Sequence, residues 1–409
     1  MALVICLAIS RSVYIFTQGR FWAEEGAIYF RVMYSIDNPF NAISYYYSNT
    51  GYFSLFTNIA NYSATFASLE YAPLVTTYLS LLVVLAVPIA MFYLPINLGL
   101  DWSNFHRIIW LILCLALLIG PLAYPEVWVN TINAQVYFGI LSYILLFFPV
   151  PKRMKTKSLT VMVPLLLSLS SPYSNAIGMG NTINAFYERS RYRILQATFA
   201  LIGFLINVIL LIWAVVDKSI DDDRSQVPNL LTLMKSFGHY SSTVLLGQEW
   251  GLGLLSNLKS PSLSSVAILL FFSGITVFFV WVTLKSVDTQ TRLLMIFGLA
   301  VSYILVNIVG LGGSYAGRYS VTVIGVLTAT FLIGIMLNIS LPNTKTKSTG
   351  LILIVLLSVF TGGKDYWSFK DELLTCRGCV DWSINVGNFV GESAQLPIWP
   401  YPNWSMELP

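Results

Sequence analysis

The chain has 409 residues, 56% of them hydrophobic and only 10% charged, with a mean hydropathy of +0.71 and a formal net charge of +4. A soluble domain carries about 25% charged residues, so the composition excludes a soluble enzyme or a nucleic-acid-binding module and predicts an all-α polytopic membrane protein. The small net charge acquires meaning only when it is divided between the two sides of a bilayer.

A spanning helix needs about 20 mostly apolar residues. The first apolar segment runs from residue 1 to about 16 and is interrupted by Arg11. It has no basic start and no small-residue cleavage site, so it reads as a retained helix and not as a signal peptide. Further apolar segments follow at 74–94, 108–121, 136–150, 159–169, 194–216, 266–284, 293–311, 321–341 and 351–360. A weaker stretch at 174–187 is rich in Gly and Asn, which suits a segment packed inside a bundle and away from lipid. The expectation is about eleven membrane segments, with the 159–187 pair turning at Ser171-Pro172-Tyr173.

Short basic connections set the orientation, because Lys and Arg collect on the cytoplasmic side. They are Lys152-Arg153 with Lys155 and Lys157; Arg189, Arg191 and Arg193; Lys285 with Arg292; Lys345 with Lys347; and Arg107. Placing these inside puts the first loop (17–73), a long loop (217–263) and a tail (362–409) outside, with residues 1–361 as the membrane domain. All but three of the 19 acids, Asp101, Glu188 and Asp288, then lie outside. Residues 27–34 and 52–66 have the periodicity of interfacial amphipathic helices.

The chemistry-bearing stretch is Gly19-Arg20-Phe21-Trp22-Ala23-Glu24-Glu25-Gly26, which sets two adjacent carboxylates among aromatics where a helix leaves the bilayer. A second polar cluster, Glu126, Asn130, Asn133 and Gln135, and a third, Gly312 to Tyr319 with Arg318, fall on the same side. Arg318 has the planar fork that suits a phosphate. Within the spans Arg11 is the one ionisable interruption, which argues against an ion-coupled transporter.

This layout resembles the GT-C class of integral-membrane glycosyltransferases, which use polyprenyl-phosphate-linked sugars; in layout it is similar to bacterial O-antigen-modifying glucosyltransferases. Trp22-Ala23-Glu24-Glu25-Gly26 stands where that class keeps its acidic catalytic motif, and Gly317-Arg318-Tyr319 resembles its Arg-Tyr pattern. The class more often has Asp in the first loop; this chain has Glu at both positions. The resemblance implies a GT-C-like fold and an inverting hexosyltransferase in the bacterial inner membrane. Its active site would lie on the periplasmic face and modify a glycan such as O-antigen or lipopolysaccharide. Its implied donor is a polyprenyl-phosphate sugar, its acceptor a glycan or lipid-linked glycan.

Glu24 or Glu25 would be the general base. Glu24 is favoured because Gly26 after Glu25 points Glu25 toward the start of the next helix. Arg318 would hold the donor phosphate, with Arg20 a second candidate; Asn133 and Gln135 would hydrogen-bond sugar hydroxyls, and Tyr319 and Glu126 are further substrate-binding candidates. No cofactor or metal is indicated: Asp221-Asp222-Asp223 reads as a solvated run, and His106 and His239 are isolated. Glu249-Trp250 is a weaker acceptor-contact candidate, and Cys376 and Cys379 a candidate local disulfide. Two alternatives stay open: an O-antigen polymerase or ligase, and a flippase or transporter of a lipid-linked saccharide.

Overall fold

The structure is a computed structural model and describes residues 2–119, 125–217, 219, 230–247, 251, 253, 263–309, 319–339, 345–368, 381–387, 395–399 and 404–408. Arg11 breaks the first apolar segment into α1 (Ala2–Ser10) and α2 (Val13–Gln18). Its guanidinium lies 4.5 Å from the Trp128 ring centroid and 4.9 Å from that of Tyr366, so the charge is met by two aromatic faces. A π-helical run at Glu25–Phe30 continues into α3 (Arg31–Tyr34). Next come α4 (Pro39–Ile43), started by the Asn38 cap and a Pro, and α5 (Leu55–Ala64). Helices thus form over both stretches expected to be amphipathic.

The main bundle begins with α6 (Ala72–Asn97), then α7 (Asn104–Cys114), α8 (Ala116–Ile119) and α9 (Ala134–Leu145). α10 (Met154–Thr160), α11 (Val163–Ser170), α12 (Pro172–Gly178) and α13 (Asn181–Glu188) are short, and α14 (Arg191–Val216) is long. Ser171, in extended conformation, ends α11; its hydroxyl caps α12 by accepting from Tyr173 and Ser174, so the chain breaks at the expected Ser171-Pro172 step. α15 (Leu230–Leu246) falls in the stretch assigned to a long loop, yet packs against α16 (Leu263–Lys285), α18 (Ser320–Ile339) and α19 (Lys345–Ser368). α17 (Thr289–Val309) lies between α16 and α18 in the chain, and α20 (Trp382–Gly387) follows α19. The sequence closes with an antiparallel pair, β1 (Gln395–Ile398) and β2 (Trp404–Glu407).

Five helices among the described residues are long and apolar enough to cross a bilayer: Ala72–Asn97, Arg191–Val216, Val266–Lys285, Thr289–Asn307 and Ser320–Asn338. This is the character of an integral membrane protein, but it corrects the expectation of about eleven spans. α9 has 12 residues and α11 has 8, roughly 18 Å and 12 Å at 1.5 Å per residue, against a hydrocarbon core of about 30 Å. α9 is apolar because it is buried in protein almost throughout, and α11 buries one face in the same way. Apolar composition alone does not separate that from facing lipid. The Ser320–Asn338 helix is the central one, enclosed almost throughout, whereas Val266–Lys285 exposes Leu270, Phe271, Val277, Phe278 and Trp281.

Hydrogen bonds bring the basic connections to one end of the bundle. Arg193 donates to the Phe148 carbonyl and pairs with Glu188 at 2.9 Å; Asn184 donates to the Leu146 carbonyl. Gln290 reaches Asn184, and Asn338 reaches Ser286. At the opposite end the first loop meets the far end of α14, where Asn207 accepts from the Phe53 amide and Tyr46 donates to the Leu210 carbonyl.

A second, smaller core lies at that opposite end: Phe21, Phe30, Ala64 and Ala72 pack with Trp382, Leu396, Ile398, Met406 and Leu408. The described parts of the tail are therefore docked on the first loop. Each large apolar side chain buried this way contributes about 1.5–3 kcal/mol. Gly26 permits the approach, since a Cβ there would lie 2.8 Å from Phe21 Cβ and 2.9 Å from Ile398 Cδ1.

Candidate functional site

The segment from Arg20 to Gly26 leaves α2 through Gly19 (φ +67°) and turns sharply at Ala23 (φ 37°). The left-handed region is unusual for a residue with a Cβ. Ala23 is held there from both sides. The tail pairs with this segment as a parallel bridge: the Trp399 amide donates to the Phe21 carbonyl at 3.0 Å, and the Ala23 amide to the Trp399 carbonyl. The Glu25 amide donates to the Trp22 carbonyl at 2.7 Å, closing the turn. A second outlier, Val129 (φ 45°), sits in the facing 125–133 loop, and the π-helical run begins at Glu25. Strained backbone and π-helical turns concentrate at functional sites.

The two neighbouring carboxylates have different environments. Glu25 is buried, 1% exposed, and its oxygens are occupied: Oε1 accepts from the Thr131 amide at 2.8 Å and hydroxyl at 2.6 Å, and Oε2 from the Trp22 amide at 3.1 Å. Burial pushes its carboxyl up from the usual range, while Thr131, Trp22 and the charge of Arg20 oppose that rise. Thr131 extends the network, its carbonyl accepting from Thr57 and its hydroxyl from Asn61. Glu25 thus ties the first loop, α5 and the 125–133 loop together. Glu24 is half-buried, and its Oε2 is buried with no hydrogen-bond partner among the described residues.

Arg20 lies between two indoles, its guanidinium carbon 5.3 Å from the Trp22 ring and 4.6 Å from that of Trp399. Its Nη1 is buried without a partner among the described residues. Burial pulls its pKa down to about 9, with Tyr14 and Glu25 opposing, so it is cationic at neutral pH. Tyrosines line the other flank: buried Tyr29 donates to Ser54 at 3.4 Å and meets the rings of Tyr45 and Tyr47 edge-on at 6.1 and 6.3 Å. Glu24 is close enough to Tyr29 to disfavour its ionisation.

The other expected site residues fall into three groups. Asn133 is buried and donates to the Glu126 carbonyl at 2.9 Å, as Asn130 does at 2.8 Å, so these side chains knit their own loop. Gln135 receives the Ser171 hydroxyl on its backbone carbonyl, while its Oε1 is buried without a partner among the described residues. Tyr319 packs on the main core just before α18, whose other end is the basic one. Arg318, Asp221-Asp222-Asp223, Glu249-Trp250, Cys376 and Cys379 lie outside the described residues.

Sequence reasoning missed Thr131, Asn61 and Trp399. Thr57, Asn58 and Asn61 form a polar stripe on α5, which as sequence reads as a solvated face, yet all three are buried. Trp399 stands in a Pro- and Trp-rich tail whose aromatic density was its one signal. No family model matches the chain, and no curated protein or solved structure shows a significant match to it.

Proposed function

We propose that the chain is an integral-membrane glycosyltransferase of the GT-C kind, transferring a sugar from a polyprenyl-phosphate donor to a glycan or lipid-linked glycan on the face opposite the basic connections. The observation that carries this reading is the division of labour between adjacent carboxylates. Glu25 is consumed by architecture, and Glu24 keeps an unpartnered oxygen near Tyr29, in the same segment as the buried Arg20 cation. In the reaction the acceptor hydroxyl oxygen attacks the anomeric carbon and its proton passes to Glu24. The bond from that carbon to the phosphate oxygen breaks, and the phosphate leaves with the electron pair. Arg20 takes up the developing negative charge, aided in this reading by Arg318. Charge stabilisation of this kind is worth most in a water-poor site. The tyrosine faces beside Glu24 suit the apolar side of a sugar ring.

The test is sugar transfer from a polyprenyl-phosphate donor by purified Glu24→Gln protein. Gln keeps the size but cannot accept the proton, so turnover falls about 10²-fold or more, the scale of a lost general base, with unchanged thermal unfolding. Wild-type turnover in this variant would remove the base from Glu24 and the centre from the reading.

A further inference from the structure

Two buried nitrogen donors from opposite ends of the chain belong to side chains in direct cation–π contact, and neither has an acceptor among the described residues. Arg20 Nη1 and Trp399 Nε1 are both out of solvent and both lack a hydrogen-bond partner among the described residues, although the guanidinium packs 4.6 Å from the Trp399 ring centroid. Buried donors are nearly always paired, and those that are not call for a ligand, ion or water. Nearby acceptors do not meet the need: Glu24 Oε2 is itself unpartnered and bonds neither nitrogen. Glu25 has both oxygens engaged by Thr131 and Trp22, and the Trp399 carbonyl is taken by the Ala23 amide. The Trp399 backbone is pinned to Phe21 and Ala23, and the strand leading into it is anchored by Leu396 and Ile398 in the small core. The position of its indole is thus set by the fold.

We propose that Trp399, in the C-terminal segment, is a ligand-binding residue whose indole N–H and the Arg20 guanidinium together hold one phosphate group of a prenyl-phosphate lipid. The inference rests on the glycosyltransferase reading and deepens it, adding a phosphate donor from the tail. A phosphate offers several acceptor oxygens and can take a bond from each nitrogen. Arg20 stands two residues beyond α2, at the end of the first apolar segment, where a lipid-borne phosphate would have apolar surface beside it for its chain. The cation between two indoles keeps its charge while shedding water, and so favours an anion over a neutral ligand.

The experiment measures binding of farnesyl phosphate, farnesol and inorganic phosphate by calorimetry to the full chain in a non-ionic, phosphate-free detergent. Trp399→Phe keeps most of the ring stack and removes the N–H; incorporation of 3-benzothienylalanine at 399 removes the N–H with nearly the same shape. Farnesyl phosphate is expected to bind the wild type. It should bind either position-399 variant about 10-fold more weakly, the scale of a hydrogen bond to a charged group, and bind Arg20→Gln more weakly still. Farnesol should be insensitive to all three changes, and inorganic phosphate should bind far more weakly than the lipid. Normal affinity in both position-399 variants with a loss in Arg20→Gln would overturn the role of Trp399 and leave the glycosyltransferase reading standing. Farnesyl phosphate binding that is absent, or indifferent to Arg20→Gln, overturns the phosphate site itself. Equal affinity for inorganic phosphate overturns the lipid as its source.

Discussion

The two ends of the bundle treat buried charge in opposite ways. At the basic end Arg193 is buried with its Nε unpartnered among the described residues, but both of its Nη atoms are engaged: Nη1 donates to Gln196 at 3.1 Å, and Nη2 donates to the Phe148 carbonyl and pairs with Glu188. Arg292 likewise donates to the carbonyls of Leu284 and Val287. These cations close turns. At the carboxylate end Arg20 rests between indoles with an orphaned nitrogen, and Glu24 keeps an orphaned oxygen. Each buried, unmatched polar group costs about 1–3 kcal/mol. Two non-glycine residues in the left-handed region, Ala23 and Val129, add about 1–3 kcal/mol each, where the basic end has one, Arg189. An end that accumulates such costs is one arranged for something outside the chain.

The largest expected effect sharpens the distinction between ends, and is all-or-none. With the four native cysteines replaced by serine, a cysteine at exposed Ser44 should react with an impermeant maleimide in intact cells. One at exposed Thr156 should react only after lysis. Reversed labelling would place the carboxylate end in the cytoplasm.

Next in size is the contrast between the carboxylates. Glu25→Gln puts an amide where three donors converge, and its –NH2 must face either Thr131 or the Trp22 amide. Thermal or denaturant unfolding should show a loss of about 1–3 kcal/mol, a loss that Glu24→Gln does not share. The pH dependence carries a sign. Burial raises the Glu25 carboxyl in the folded chain, so its stabilising contribution is full below the ordinary glutamate value of 4.5 and is lost as pH rises through the folded value. Glu25→Gln should remove that slope. Equal stability of both variants would erase the difference between the two carboxylates.

The smallest effect concerns the strained turn. Ala23→Gly relieves the left-handed strain but loses a buried methyl and adds chain entropy, so the net change should stay within about 1 kcal/mol. Ala23→Val adds a branched Cβ in that conformation and should destabilise by about 2 kcal/mol or more. If Val is tolerated as well as Gly, the turn is not held as tightly as its hydrogen bonds indicate.

Composition and pattern by themselves determined the membrane character, the gathering of the basic connections around 152–157, 189–193 and 285–292, helices within 27–34 and 52–66, and the break at Ser171-Pro172. Each depends on local properties: hydropathy, charge, periodicity and the missing amide of proline. The number of spans was overread, because an apolar helix buried in protein and one facing lipid have the same composition. The pair Glu24-Glu25 was visible as a candidate, but the sequence could not divide the roles between neighbours. Only the tertiary structure did so, through Thr131, 106 residues further on, which captures one carboxylate. It also brought the tail back to the first loop, where the Trp399 backbone pins Ala23 and its indole packs against Arg20. Contacts between residues so far apart follow from how the segments pack, and no local pattern along the chain encodes them.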